Sequence, residues 1–159
     1  MKFNITEKMT EEEKAIYDKH KSNIPFEIVS FAKHLNIEVL LDDDLEDYIS
    51  GFRGYEKEAH YIVVNNKHSE VRKRFTIAYQ LGHFFYDKEC LIENTRIEYQ
   101  VRGNKFATEF ANELLVPEKE FSKIYVKYAN KEVEKIAKYF KVPCTVIEKR
   151  RNQIFGETL

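Results

Sequence analysis

Residues Arg72–Phe85 read RKRFTIAYQLGHFF, and further along the chain Phe106–Pro117 read FATEFANELLVP. In the first stretch Val71, Phe75, Ala78, Leu81, Gly82 and Phe85 recur at the spacing of one face of an α-helix, with Ser69 placed to cap its start. Ile77 and Phe84 carry apolar character around the cylinder, which predicts a helix inside the core and not on its surface. In the second stretch Phe106, Ala107, Phe110, Ala111, Leu114 and Leu115 make another apolar stripe, which Pro117 brings to an end. The two stripes predict a packed helix pair.

Working outward, a short helix is expected after Thr10, broken by Ser22-Asn23, and a second over Phe26–Leu35 with Pro25 in its first turn and Asn36 at its end. Residues 37–41, 51–55 and 60–64 are β-prone, the last two joined by the polar turn Glu56-Lys57-Glu58, and predict a small antiparallel sheet. Residues 87–102 are polar and irregular. Helices are expected near 118–128, 131–140 and 144–153. The fold class is therefore α+β, a three-stranded antiparallel sheet against a helical bundle, as one domain over 1–159, with 1–23 as an N-terminal helical extension and 118–159 as C-terminal helices.

Composition narrows the functional classes. The chain has 159 residues, 43% hydrophobic and 33% charged, with 5 Gly and 3 Pro, which is ordinary for a globular protein. The N-terminus is polar and no apolar run is long enough to cross a bilayer, so neither signal peptide nor membrane contact is expected. The two cysteines, Cys90 and Cys144, lack the spacing of a disulfide framework or zinc knuckle, and a reducing cytoplasm fits them best. Net charge is −1, but residues 1–60 carry 8 Lys/Arg against 14 Asp/Glu and residues 119–151 carry 10 against 4. A basic tail of this kind is most often a solvated helix face. No glycine-rich phosphate loop occurs, and Asp42-Asp43-Asp44 lacks the spacing of a calcium loop.

The two stretches, in this order, resemble the ImmA/IrrE family of zinc metallopeptidases, where the first usually reads like RFTLAHELGH and the second like EANxFAAELLMP. The flanks agree: Tyr61-Ile62-Val63-Val64-Asn65-Asn66 precedes the first helix, and VEKIAKYFKVP near the end is similar to the family's helix-loop ending. The resemblance covers about residues 24–155 and implies a zincin-like core. In an HExxH helix two His four residues apart grip zinc from one face and the Glu between them activates the bound water. A third, acidic ligand is expected from the second helix.

Carried over position by position, this chain has Tyr79 for the first His, Gln80 for the Glu, and only His83 in its expected place. Phe106 stands where the EAN glutamate would be, with Asn104 as the alternative position. An amide cannot take a proton from water, a phenyl ring has no lone pair, and a neutral phenol with a reference pKa of about 10 is a poor ligand. The resemblance therefore implies a vestigial site (Tyr79, Gln80, His83, Phe106), with no catalytic residue, no metal ligand set and no cofactor, although zinc is the family's ion. Inward aromatic rings are expected to fill the space of metal and water, and His83 to stay neutral, bonded to a neighbour such as the Tyr79 hydroxyl.

Other residues do not supply the missing ligands. Glu109 and Glu113 lie near the second-helix position, but Glu113 matches the glutamate of the family's AELL segment and Glu109 a variable position. His20, His34, His60, His68, Glu89, Glu93 and Glu98 lack ligand spacing, and Cys90 lies too uncertainly relative to His83 for a Cys/His dyad. Some family members act on helix-turn-helix repressors of mobile elements or on stress-response regulators. The resemblance thus implies a protein that has kept the recognition surface without the cutting machinery, and whose partner is a regulatory protein such as a helix-turn-helix repressor. Two alternatives stand behind it: a metallopeptidase with unorthodox ligands, and DNA binding through the C-terminal helices, where Lys131, Lys135, Lys138, Lys141, Lys149, Arg150 and Arg151 surround a turn at Val142-Pro143.

Overall fold

A computed structural model describes residues 2–88, 95–97, 104–128 and 132–156. The order is α1 (Glu11–His20), α2 (Ile28–His34), β1 (Ile37–Asp42), β2 (Gly51–Glu56), β3 (Ala59–Asn65), α3 (Glu70–Asp87), β4 (Thr95–Ile97), α4 (Lys105–Leu115), α5 (Glu118–Lys127), α6 (Val133–Phe140) and α7 (Cys144–Phe155). This is an α+β fold with its small sheet packed against helices. Among the described residues no helix is long and apolar enough to cross a membrane.

The sheet corrects the antiparallel, three-stranded expectation. Its order is β1-β3-β2-β4, with β1 parallel to β3 and the other two pairs antiparallel. β3 takes the inside because Ile62, Val63 and Val64 are buried in succession and need cover on both faces. β1 buries Ile37 and leaves Leu40 and Leu41 exposed, as an outer strand tolerates. The crossing from β1 to β2 is pinned by the Asn65-Asn66 pair. Asn65 Nδ2 donates to the carbonyls of Glu46 and Ile49 at 3.1 and 2.9 Å, and Asn66 Nδ2 donates to Asp43 Oδ1 at 2.7 Å. The three-aspartate run is thus part of a loop anchored by amides. The β2–β3 hairpin turns through Lys57 and Glu58, both at positive φ (51° and 60°), the geometry that matches strand twist in a two-residue loop.

α2 starts later than Phe26. The Phe26 carbonyl accepts the Ile28 N–H at 2.9 Å in a tight turn and also Arg74 Nη2 at 2.9 Å, which holds Phe26 outside the helix, while its ring packs against Phe31. Asn36 ends the segment at φ 59°, a conformation Asn tolerates.

α3 is the central helix. Ser69 Oγ accepts the Arg72 N–H, and Thr76, Ile77, Ala78, Gln80, Leu81, Gly82, Phe84 and Phe85 are all buried, so it contacts the sheet on one side and α4 on the other. α4 is capped by Asn104, whose side chain accepts the Ala107 N–H at 3.1 Å, and ends at Val116 before Pro117. The two helices approach most closely at Gly82. A Cβ there would lie 2.7 Å from Ala107 Cα and 2.9 Å from its carbonyl oxygen, both backbone atoms. Gly82→Ala gains about 1 kcal/mol of helix propensity but forces the helices apart, a strain that overpacked cores show at about 1–3 kcal/mol. A lowered urea midpoint is expected for this variant; an unchanged or raised midpoint would mean that the helix pair does not meet at this glycine.

Candidate functional site

Tyr79 and His83, one turn apart on α3, stand side by side with ring centroids 4.9 Å apart at 76°. Both are half-buried. The Tyr79 hydroxyl accepts the backbone N–H of Asn104 at 3.1 Å, at the point where α4 begins. This tyrosine therefore ties the motif helix to the second helix through a hydrogen bond, and Asn104 spends its own side chain on capping α4. Phe75 extends the row, its ring 6.4 Å from that of Tyr79 and nearly parallel.

Phe106 faces an aromatic neighbourhood. Its ring lies 5.3 Å from Phe3, 5.6 Å from Tyr86 and 6.2 Å from Phe110. The N-terminal segment thus reaches over the start of α4 and covers the position where the family's acidic residue would stand. Gln80 turns the other way. It is 1% exposed, and its Nε2 points at the Gly51 carbonyl on β2 across 3.4 Å. A carboxylate there would meet a carbonyl oxygen with no donor between them, so an amide suits this position better than the acid it resembles in shape.

Beside His83 lies a charge pair the sequence did not announce. Arg53, 2% exposed on β2, donates Nη2 to Asp87 Oδ1 at the end of α3, while its Nε and Nη1 are buried with no hydrogen-bond partner among the described residues. Arg53 sits in the strand GFRGYE, whose first four residues are all buried, and an arginine between Gly51 and Gly54 is the one signal of it in the sequence. The His83 pKa is lowered by burial, with Arg53 adding to that and Asp87 opposing it. Burial and then Arg53 lower His60 as well, which packs against Phe84 at 4.9 Å.

The other histidines do not converge on His83. His20 Nε2 and His34 Nδ1 share a hydrogen bond of 2.8 Å, His20 lies against Phe26 and Phe31, and burial followed by His34 lowers its pKa. His68 Nε2 bonds the Asp47 carbonyl at 2.9 Å. Glu113 pairs with Arg150 and is unavailable to a metal. Cys144 is exposed, and Cys90, Glu89, Glu93 and Glu98 lie outside the described residues. Among the described residues no three His, Cys, Asp or Glu side chains stand close enough to hold a metal ion. Zinc, which the family implies, does not fit the described residues: among them a single imidazole is present at this place, with a phenol, a sheet-facing amide and a covered phenyl ring in the places of its helpers.

The C-terminal basic residues divide. Arg150 and Arg151 are buried, whereas Lys138, Lys141 and Lys149 are exposed, Lys135 pairs with Glu132 at 2.8 Å and Lys131 lies outside the described residues. Two of the charges that the sequence offered to a nucleic acid are used inside the fold.

Three histidines whose folded pKa values lie below the free value give stability a definite pH sign. Below about 6.5 the unfolded chain binds protons that the folded chain refuses, so stability falls as pH drops from about 6.5 through the depressed folded values. The melting temperature is expected to decline from about pH 7 to about pH 5, and the decline to shrink in His20→Gln. A flat profile over that range would contradict the burial of these rings.

Compared with known proteins, the chain has the fold of a solved Mycobacterium tuberculosis transcriptional regulator, with a TM-score of 0.58 over 93% of this chain and 44% of that one, at 16% identity. The family model for the IrrE N-terminal-like domain matches residues 32–152, and the chain belongs to this ImmA/IrrE family. An uncharacterized immunity region protein of Bacillus phage phi105 is 30% identical in an alignment of 109 residues that covers 63% of this chain and 63% of that relative's length.

Proposed function

We propose that this chain is a catalytically inert member of its family that acts by binding a regulatory protein, such as a helix-turn-helix repressor of a mobile element or of a stress response. The arrangement at residues 79, 80 and 106 carries this reading. Tyr79 is hydrogen-bonded to the start of α4, Gln80 is turned to the sheet, and Phe106 is covered by Phe3 and Tyr86, so donor atoms have given way to packing. Without a carboxylate to accept a proton or a ligand set to hold an ion, hydrolysis loses both of its agents. What remains is the folded surface. The likeness to a phage immunity-region protein supports a regulatory setting.

The test is metal analysis of the purified protein together with a pull-down and cleavage assay on a repressor encoded beside it. The expected result is substoichiometric zinc and capture of the repressor intact. Stoichiometric zinc with chelator-sensitive cleavage would sink the proposal and favour the unorthodox metallopeptidase. A salt-sensitive shift of duplex DNA would favour the C-terminal helices as a DNA reader, against which the burial of Arg150 and Arg151 counts.

A further inference from the structure

β1 is the outer strand of the sheet on the side opposite β4, and its six residues pair with β3 in one unbroken register. The Asp42 carbonyl accepts the Asn66 N–H at 2.9 Å, so Asp42 bonds to β3, and Leu40 and Glu38, two and four residues back, do the same. Val39 and Leu41 then turn both N–H and C=O to the open edge, where no backbone hydrogen bond meets them among the described residues. The strand has neither Pro nor Lys to blunt that edge, and Leu40 and Leu41 are 41% and 58% exposed. An edge of this kind is a template for another strand.

Shape and charge say which strand. On the sheet face away from α3, a Cβ at Gly54 would lie 2.3 Å from the Tyr61 ring, which therefore covers that glycine, and Leu45 and Ile49 pack on Phe52 and Val63. Beside them opens a groove of about 430 Å³, lined on the β1 side by Glu38, Leu40 and Asp42. Residues 37–48 carry six Asp or Glu and no Lys or Arg. Lys67 answers Asp47 at 2.9 Å, and Lys57 is the one Lys or Arg among the described lining residues, so Glu38 and Asp42 keep an acidic rim around Leu40. Such a rim opposes a second copy, because two-fold pairing would bring two acidic segments together, and it favours a strand with cations at the matching places. We propose that β1 docks an extended segment of a partner protein in which two basic residues flank an apolar one at alternate positions. The basic side chains lie beside Glu38 and Asp42, the apolar one beside Leu40, and the main chain bonds to Val39 and Leu41. This goes beyond the proposed function, since it rests on the strand edge and needs neither an inert centre nor a repressor.

The probe is a cyclic β-hairpin peptide whose outer strand reads Thr-Lys-Thr-Leu-Thr-Lys-Thr, set against the same hairpin with Glu in place of Lys. Titration followed by amide NMR should give saturable shifts at residues 37–42 with the Lys hairpin, slower hydrogen exchange at the Val39 and Leu41 amides, and weaker binding at raised salt. Leu41→Pro removes an outward donor and no bond to β3, and should weaken binding about tenfold. Glu38→Lys, at an exposed position, should weaken it about fivefold, and a hairpin with one Lys replaced by Glu should recover part of that loss. Should the proline unfold the strand, Glu38→Lys decides alone. The proposal is overturned if the Lys hairpin does not saturate by about 1 mM, if the Glu hairpin binds as well, or if the shifts fall away from β1. It is equally overturned if the Val39 and Leu41 amides are protected in the free protein and the chain sediments as a dimer, for then a second copy holds the edge.

Discussion

Introduced together, Tyr79→His, Gln80→Glu and Phe106→Glu are expected to turn a chain that does not hold zinc into one that does, at the expense of its stability without metal. The cost has three sources. Tyr79→His removes the acceptor for the Asn104 N–H, Gln80→Glu buries a carboxylate against the Gly51 carbonyl, and Phe106→Glu strips a ring from the contact with Phe3 and Tyr86. Each lies in the range of about 1–3 kcal/mol, so the metal-free variant should melt well below the parent. Zinc then binds only the folded form and returns stability by mass action, about 4 kcal/mol at a thousandfold excess over its dissociation constant. The readout is a melting temperature that rises with zinc in the variant and not in the parent. A folded triple variant indifferent to zinc would show that Phe106 is not the third-ligand position. Asn104→Glu in place of Phe106→Glu is the alternative, and it carries the further loss of the α4 cap.

The second large effect is expected at Arg150. Its guanidinium donates Nη2 to Glu113 and Nε to the Val116 carbonyl at 2.9 Å, with both side chains largely buried. Arg150→Met leaves the Glu113 carboxylate inside the protein with its countercharge gone. Breaking a pair of this kind by removing one partner costs about 3–5 kcal/mol. Burial already raises the Glu113 pKa while Arg150 pulls it down, so the variant's carboxyl should protonate still more easily. A raised folded pKa favours the folded state at low pH and loses that advantage as pH climbs, so the deficit of Arg150→Met should be smaller near pH 5 than near pH 8. Glu113→Gln combined with Arg150→Met should recover most of the loss, since the uncompensated charge is then absent. Urea denaturation of the two single variants and the double variant at both pH values checks this; strictly additive losses would mean that the pair is not coupled.

What the sequence made legible follows from periodicity. The stripes of α3 and α4 are long enough for their spacing to be unmistakable, and Ser69 and Pro117 mark their ends, so the helix pair, and which helix carries Tyr79, Gln80, His83 and Phe106, could be read directly, whereas the turn of Gln80 toward the sheet and the cover of Phe3 over Phe106 could not. Nor could strand order. The β-prone composition of residues 37–41, 51–55 and 60–64 marks strands but not which one lies in the middle, and Asn65-Asn66 looks like loop text until its amides are seen holding the 43–50 crossing. The three-residue β4 carries no periodicity at all. The sequence also matched Glu113 to a family position without revealing its use, because its partner Arg150 lies on the last helix, far along the chain. Arg53 and Asp87 escaped for the same reason, being neighbours only once β2 lies against α3.

The parallel pairing of β1 with β3 sets an order on how the chain assembles. The β2–β3 hairpin closes through a two-residue turn and loses little chain entropy, whereas the ladder from Ile37–His60 to Asp42–Asn65 must bring together segments separated by the whole hairpin. β1 can add only to an edge that already exists. Substitutions that weaken β1, such as Val39→Ala, are therefore expected to speed unfolding and leave the folding rate nearly unchanged, while Ile62→Val in β3 should slow folding itself.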